Sequence, residues 1–160
     1  MKFLREKNED AYKLASSQAR IFEKSVQQLV PSYHFISAFM KSEFAESMDS
    51  LQYLFGFQSD DDVFSDIVKH MIKREGGTVF SAEEMHWIGY FYRYASFLSG
   101  ASSKEIYKSV KPNYLRSVYP TYHGLDIEKA VQIVFDDCGF VRMTPNERFV
   151  KLYLNSNRSI

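Results

Sequence analysis

Within Ser81–Ser99 (SAEEMHWIGYFYRYASFLS), His86, Gly89, Arg93 and Ser96 recur at helical spacing and form one stripe. The stripe holds a titratable imidazole, a fixed cation and a gap at glycine, where a ligand or another backbone could approach closely. It reads equally as the one solvent-facing edge of a buried helix, with Arg93 lying across neighbouring rings as a cation–π contact. The edge is the expectation, because helix edges are common and binding sites are few per protein. Glu83 and His86 also make an E-x-x-H pair, the spacing used by di-iron bundles. Those bundles need a second such pair, and no other histidine here has a glutamate three residues earlier.

Other groups point to chemistry more weakly. Asp60, Asp61 and Asp62 follow Ser59, but an EF-hand loop alternates its acids and needs a glycine and a terminal glutamate. Three consecutive acids after a serine fit a helix N-terminus, where the dipole favours negative charge. Nucleophilic catalysis would have Cys138 and four histidines, His34, His70, His86 and His123, to draw on. Asp136 and Asp137 beside Cys138 would raise its pKa and blunt it. No G-x-S-x-G, H-E-x-x-H, P-loop or G-x-G-x-x-G occurs. The expectation is no enzyme, no cofactor and no metal, with an enzyme whose site is assembled from distant residues and leaves no local motif as the third reading.

Two binding readings remain. In SSKEIYKSVKPNYLRSVYPTYHGLD, two short helices joined at Lys111–Asn113 have a helix-turn-helix outline. Lys104, Lys108 and Lys111 form a basic stripe with Arg116 nearby, suited to nucleic-acid phosphates. The bland counterpart packs Ile106, Tyr107, Val110, Leu115 and Val118 on the core and leaves the lysines in water. Twenty Lys plus Arg balance twenty Asp plus Glu, which argues against a strongly basic coat. The other reading is a protein partner. Phe, Tyr and Trp make up 16% of the chain, and such rings supply interface anchors.

The run from Trp87 to Ile127, with its WIGYFYRY, SSKEIYK, KP, YPTYH and LDIEKA segments, resembles a family of small bacterial proteins without an assigned activity, associated with the antitoxin side of toxin–antitoxin gene pairs. The resemblance covers about a quarter of the chain and brings no catalytic residues with it. It implies a protein partner, for which Arg93, Tyr119, Tyr122 and His123 are the expected contacts. A DNA-binding regulator using Lys104, Lys108, Lys111 and Arg116 is the alternative.

These residues must be positioned by helices. The 160 residues suit one domain, 1–160, of six to eight helices, all-α apart from a minor two-stranded ribbon. Ser81 and Glu84 predict a capping box and Gly100 a left-handed cap for the central helix. Ile88, Phe91, Ala95 and Leu98 line one stripe of it, Trp87, Tyr90, Tyr94 and Phe97 the next, and Met85 and Tyr92 widen the apolar arc. Before it, Asn8 predicts the cap of a helix reaching Val30, followed by helices over 32–41 and through 43–55. A further helix starts at Ser59 and ends in Lys73 and Arg74. Thr78–Phe80 and Phe140–Met143 read as short strands. Pro112 opens and Pro120 closes a helix, Asp126 caps another that stops at Gly139, and a last helix is expected over 144–154. One cysteine, a charged MKFLREKNED start and no long apolar run predict a cytoplasmic chain without disulfide, leader or membrane span.

Overall fold

In the computed structural model, which describes residues 2–50, 53, 56, 58–71 and 76–141 and side chains from residue 9 onward, local capping chemistry sets most boundaries. Ser59 and Ser81 each accept the N3 backbone N–H, while Asp62 and Glu84 reach back to the N-cap N–H, giving two complete capping boxes. Ser42, Ser102 and Asp126 also cap through their side chains. Gly100 (φ 69°) and Gly139 (φ 67°) close their helices in the left-handed region.

The described residues form eight helices and no strand: α1 (Lys2–Gln27), α2 (Ser32–Met40), α3 (Glu43–Asp49), α4 (Asp60–His70), α5 (Ala82–Ser99), α6 (Ser103–Ser109), α7 (Pro112–Tyr122) and α8 (Ile127–Cys138). The all-α expectation holds. None of these helices is long and apolar enough to cross a membrane.

Several boundaries differ from expectation. Asn8 lies inside α1 rather than capping it. Thr78–Phe80 is not a strand: the Thr78 carbonyl accepts the Ser32 N–H (3.0 Å) and the Phe80 N–H donates to Ser32 Oγ (2.8 Å). The start of α2 thus satisfies the groups that a second strand would have paired. Pro120 does not stop α7, which runs on to Tyr122. α3 ends at Asp49 and α4 at His70, short of the expected ends at 55 and at Lys73 and Arg74, while the expected helix over 144–154 and the second half of the expected strand over 140–143 lie outside the described residues.

The largest inter-helix contact joins α1 and α5, which run antiparallel: Tyr12 meets Tyr94, Gln18 meets Gly89, and Glu23 meets His86. Small residues permit the approach. Ala11, Ala15 and Ala19 of α1 are buried, and a Cβ placed on Gly89 would stand 2.9 Å from the Gln18 carbonyl oxygen and 2.8 Å from Phe22 Cγ. Phe22 in turn meets Phe35 and Phe39 of α2 edge-on. The acids opening α4 tie it to α1: Asp60 accepts from Arg20 (2.9 Å) and from the Ser17 hydroxyl, and Asp61 pairs with Lys24.

The expected solvent edge of α5 is therefore wrong for most of its length. Gly89, Arg93 and Ser96 are buried, and only His86 reaches solvent, where its Nδ1 lies 3.0 Å from Glu23. Arg93 makes no cation–π contact among the described residues. It is 2% exposed and donates to Gln18 Oε1 (2.8 Å), Asp49 Oδ1 (2.5 Å), Ser103 Oγ (2.9 Å) and the Ala45 carbonyl (3.4 Å). Asp49 also accepts the Ser103 N–H (2.9 Å) and the Ser96 and Ser103 hydroxyls. Gln18 Nε2 donates to the Gly89 carbonyl (3.0 Å), closing a network across α1, α3, α5 and the start of α6. Burial lowers the Arg93 pKa, and the charge and hydrogen bond of Asp49 oppose that.

Two stability outcomes follow from this packing. Arg93→Ala leaves the Asp49 carboxylate without its counterion in a buried site, at an expected cost of about 3–5 kcal/mol. Urea denaturation would read it, and a loss below about 1 kcal/mol would remove the network from the fold's essential contacts. Leu29 is the reverse case. It occupies the C′ position of a Schellman motif at the end of α1, with Val30 N–H to the Ser25 carbonyl and Leu29 N–H to the Val26 carbonyl. It has φ 55° and a side chain 76% exposed. The left-handed backbone costs a non-glycine residue about 1–2 kcal/mol, so Leu29→Gly should raise stability by up to about 1 kcal/mol after the extra freedom of glycine in the unfolded chain is subtracted. A lower thermal midpoint for Leu29→Gly would contradict it.

Candidate interaction surface

With the polar stripe of α5 facing inward, its partly exposed side chains are mostly aromatic and lie on the adjacent arc. Trp87, Tyr90, Phe97 and Leu98 are half-buried, while Tyr94 between them is covered. Tyr94 is enclosed by its neighbours: Tyr12 of α1 stacks at 5.5 Å (26° between planes) and Tyr90 at 6.2 Å (11°). Tyr12 itself is 46% exposed. Burial raises the pKa of both Tyr90 and Tyr94. Tyr12 raises both further, and the nearby carboxylates of Asp126 (for Tyr90) and Glu128 (for Tyr94) add to it. α8 packs against α5.

The end of α7 extends the face past Trp87. Tyr119 meets Trp87 edge-on at 5.8 Å, and His123 stacks on Tyr119 at 4.3 Å. His123 Nδ1 lies 2.7 Å from the Tyr119 carbonyl oxygen. When Nδ1 carries the proton and donates there, Nε2 is left outward as an acceptor. Tyr122 is drawn elsewhere, its hydroxyl donating to Asp137 Oδ2 (3.1 Å) beside that of Tyr114 (2.5 Å). Both phenols have raised pKa values: that of Tyr122 chiefly through the Asp137 hydrogen bond, that of Tyr114 through burial and then Asp137.

At the other end of the stripe, Leu98 faces α8 across a cleft of ≈ 570 Å³, with Val131, Phe135 and Phe140 among its apolar lining and Gln132 and Asp136 among its polar lining. A second cleft of ≈ 780 Å³ lies between α2 and α4 and holds His34, Lys41, Asp66 and His70. There His70 Nδ1 is engaged by the Asp66 carbonyl (2.8 Å), and Lys41 Nζ points over the Tyr107 ring at 5.5 Å. No group of three or more histidine, cysteine, aspartate or glutamate side chains among the described residues could hold a metal ion. Cys138 hydrogen-bonds no histidine among those residues, and its pKa is raised by burial and by Asp137.

The sequence-derived site residues separate in space. Tyr119, Tyr122 and His123 cluster at the end of α7, but Arg93 is buried on the far side of α5 and cannot touch a partner as expected. Of the basic set, Lys104, Lys108 and Lys111 are exposed, with Lys111 Nζ over the Tyr107 ring at 4.6 Å. Arg116 is occupied: its Nε donates to Glu84 (3.0 Å) and its guanidinium lies over the Phe80 ring at 4.4 Å. Tyr12 carries no signal of its own in the sequence, although Gly89 opposite the alanines of α1 marks the face that α1 takes. No protein-family model, no curated protein and no solved structure matches the chain.

The Arg116 pairing gives a pH test. Burial would raise the Glu84 pKa, but the Ser81 N–H and the Arg116 guanidinium hold it below the ordinary carboxylate value. A depressed folded-state pKa contributes stability that is complete above the unfolded value and is lost as pH falls through the folded one. Glu84→Gln should therefore destabilise at neutral pH by up to about 1 kcal/mol, and its difference from the parent should shrink below about pH 4. A difference that stays constant between about pH 7 and pH 3 would assign the effect to packing alone.

Proposed function

We propose that this chain is an intracellular protein-interaction module, the antitoxin-like member of a two-gene pair, which acts by covering a partner protein rather than by catalysis. The observation that carries the reading is the outward aromatic stripe of α5, continued by Tyr12 and by Tyr119 and His123. Half-buried tyrosine and tryptophan rings held rigid by stacking offer large contact area at small entropic cost, as interface hot spots do. The resemblance of Trp87–Ile127 to antitoxin-like proteins supports the same reading, and this segment includes most of the face. Tyr122 contributes through its hold on Asp137 at the edge of the patch.

The test is co-expression with the product of the adjacent gene, with a tag on that product. The parent chain should be retained with it. A Tyr90→Ala/Tyr119→Ala/His123→Ala variant should stay folded by circular dichroism and lose retention by at least about thirtyfold, the equivalent of one strong hot spot of about 2 kcal/mol. Equal retention of parent and variant, or none of the parent, would sink the proposal.

A further inference from the structure

The cations of the chain are not all employed alike. Arg20, Lys24, Arg93 and Arg116 each meet a carboxylate. Lys41, Lys104, Lys108 and Lys111 are exposed and form no ion pair among the described residues. These four gather about one half-buried ring. Lys111 Nζ lies over Tyr107 at 4.6 Å from the ring centroid, and Lys41 Nζ, from the end of α2, lies over the same ring at 5.5 Å. Lys104 precedes Tyr107 by one turn of α6 and Lys108 follows it directly. Along that helix Lys104 and Lys108 stand about 6 Å apart. Glu43 and Glu105, the nearest acids in sequence, pair with none of the four. Like charges collected without a carboxylate repel one another, and an anionic ligand relieves that repulsion. The cation–π contacts hold two of the ammonium groups in place beforehand, which lowers the ordering cost of binding.

We propose that this patch takes the phosphate backbone of a nucleic-acid duplex, without regard to base sequence. The exposed large apolar side chains among the described residues are Tyr12, Leu29 and Val141, and none is on α6 or α7. A lipid surface would need an apolar face there. The Tyr107 ring is already covered by ammonium groups, so it offers no platform for the stacked bases of a single strand. Arg116, the nearby side chain best suited to a base edge, is held by Glu84 and lies over Phe80. What remains is lysine, which positions a duplex through its phosphates without reading it. Tyr107 lies against Tyr92, about 200° round α5 from Tyr90, so a protein on the aromatic face and a duplex on this patch do not compete.

The test is anisotropy of fluorescein-labelled DNA duplexes of about 20 base pairs, roughly two turns, in two unrelated sequences, titrated with the full chain. Both should bind saturably at about 50 mM salt, within about threefold of each other, and log K should fall against log salt with a slope of about −2 to −4, as for two to four phosphates. Lys104→Gln/Lys108→Gln should weaken binding at least about tenfold and flatten the slope by about two, without moving the thermal midpoint. Lys13→Gln/Lys129→Gln removes the same charge from exposed positions on α1 and α8 and should change affinity less than about twofold. No binding of the parent at about 50 mM salt, or an equal loss in the two double variants, would overturn the proposal. So would tighter binding of single-stranded DNA, of poly-glutamate or of phosphatidylserine vesicles than of the duplex. Retention of the adjacent gene product should survive Lys104→Gln/Lys108→Gln, and its loss there would assign the lysines to the protein partner instead.

Discussion

A guanidinium that is 2% exposed must be matched by an anion and by acceptors for its remaining N–H groups, or the helices around it cannot close. Arg93 meets that demand with groups from three other segments: Asp49 at the end of α3, Gln18 in the middle of α1, and Ser103 at the start of α6. None of these partners is near it in sequence except Ser103. Asp49 in turn holds the Ser103 N–H and the Ser96 and Ser103 hydroxyls, so one carboxylate fixes the corner where α5 passes into α6. No side-chain nitrogen or oxygen buried among the described residues lacks a partner, which makes the cluster a closed network.

That network sets the rotation of α5 about its own axis. With Arg93 pointing at Asp49 and Gln18, Gly89 lies under the backbone of α1 and admits it to a distance that any Cβ would obstruct. Met85, Ile88, Phe91, Tyr92 and Ala95 then fill the interior, and what remains for the surface is the stripe of Trp87, Tyr90, Phe97 and Leu98. The aromatic face is thus a geometric consequence of satisfying one buried charge. Trp87, expected on the buried arc, lies only partly buried between Phe91 and Tyr119.

The two ends of that face are held differently. Around Trp87, α7 is tied down by Arg116 between Glu84 and Phe80, and by Tyr114 and Tyr122 converging on Asp137. Around Leu98 the boundary is the cleft against α8, and Val141 at its end is 82% exposed.

Helix existence and most helix ends were legible in the sequence, because caps act within one turn. Ser59, Ser81, Asp126, Gly100 and Gly139 do in space what their positions imply. The errors came where a local signal was outweighed. Pro120 lies within a helix whose end is clasped by Asp137, and Thr78–Phe80 found its hydrogen bonds at Ser32 rather than at a strand. The candidate site was legible in part: Tyr119, Tyr122 and His123 were named, whereas Tyr12 and Lys41 belong to segments whose juxtaposition with the rest no spacing reveals. What the sequence determined by itself is the helices among the described residues, the central place of Ser81–Ser99 and the aromatic wealth of the chain. Which side of that helix faces water was decided only by tertiary structure. Polarity along a helix predicts exposure only while polar groups have no better partner than water, and Arg93, joined to Asp49 and Gln18 from distant parts of the chain, had one.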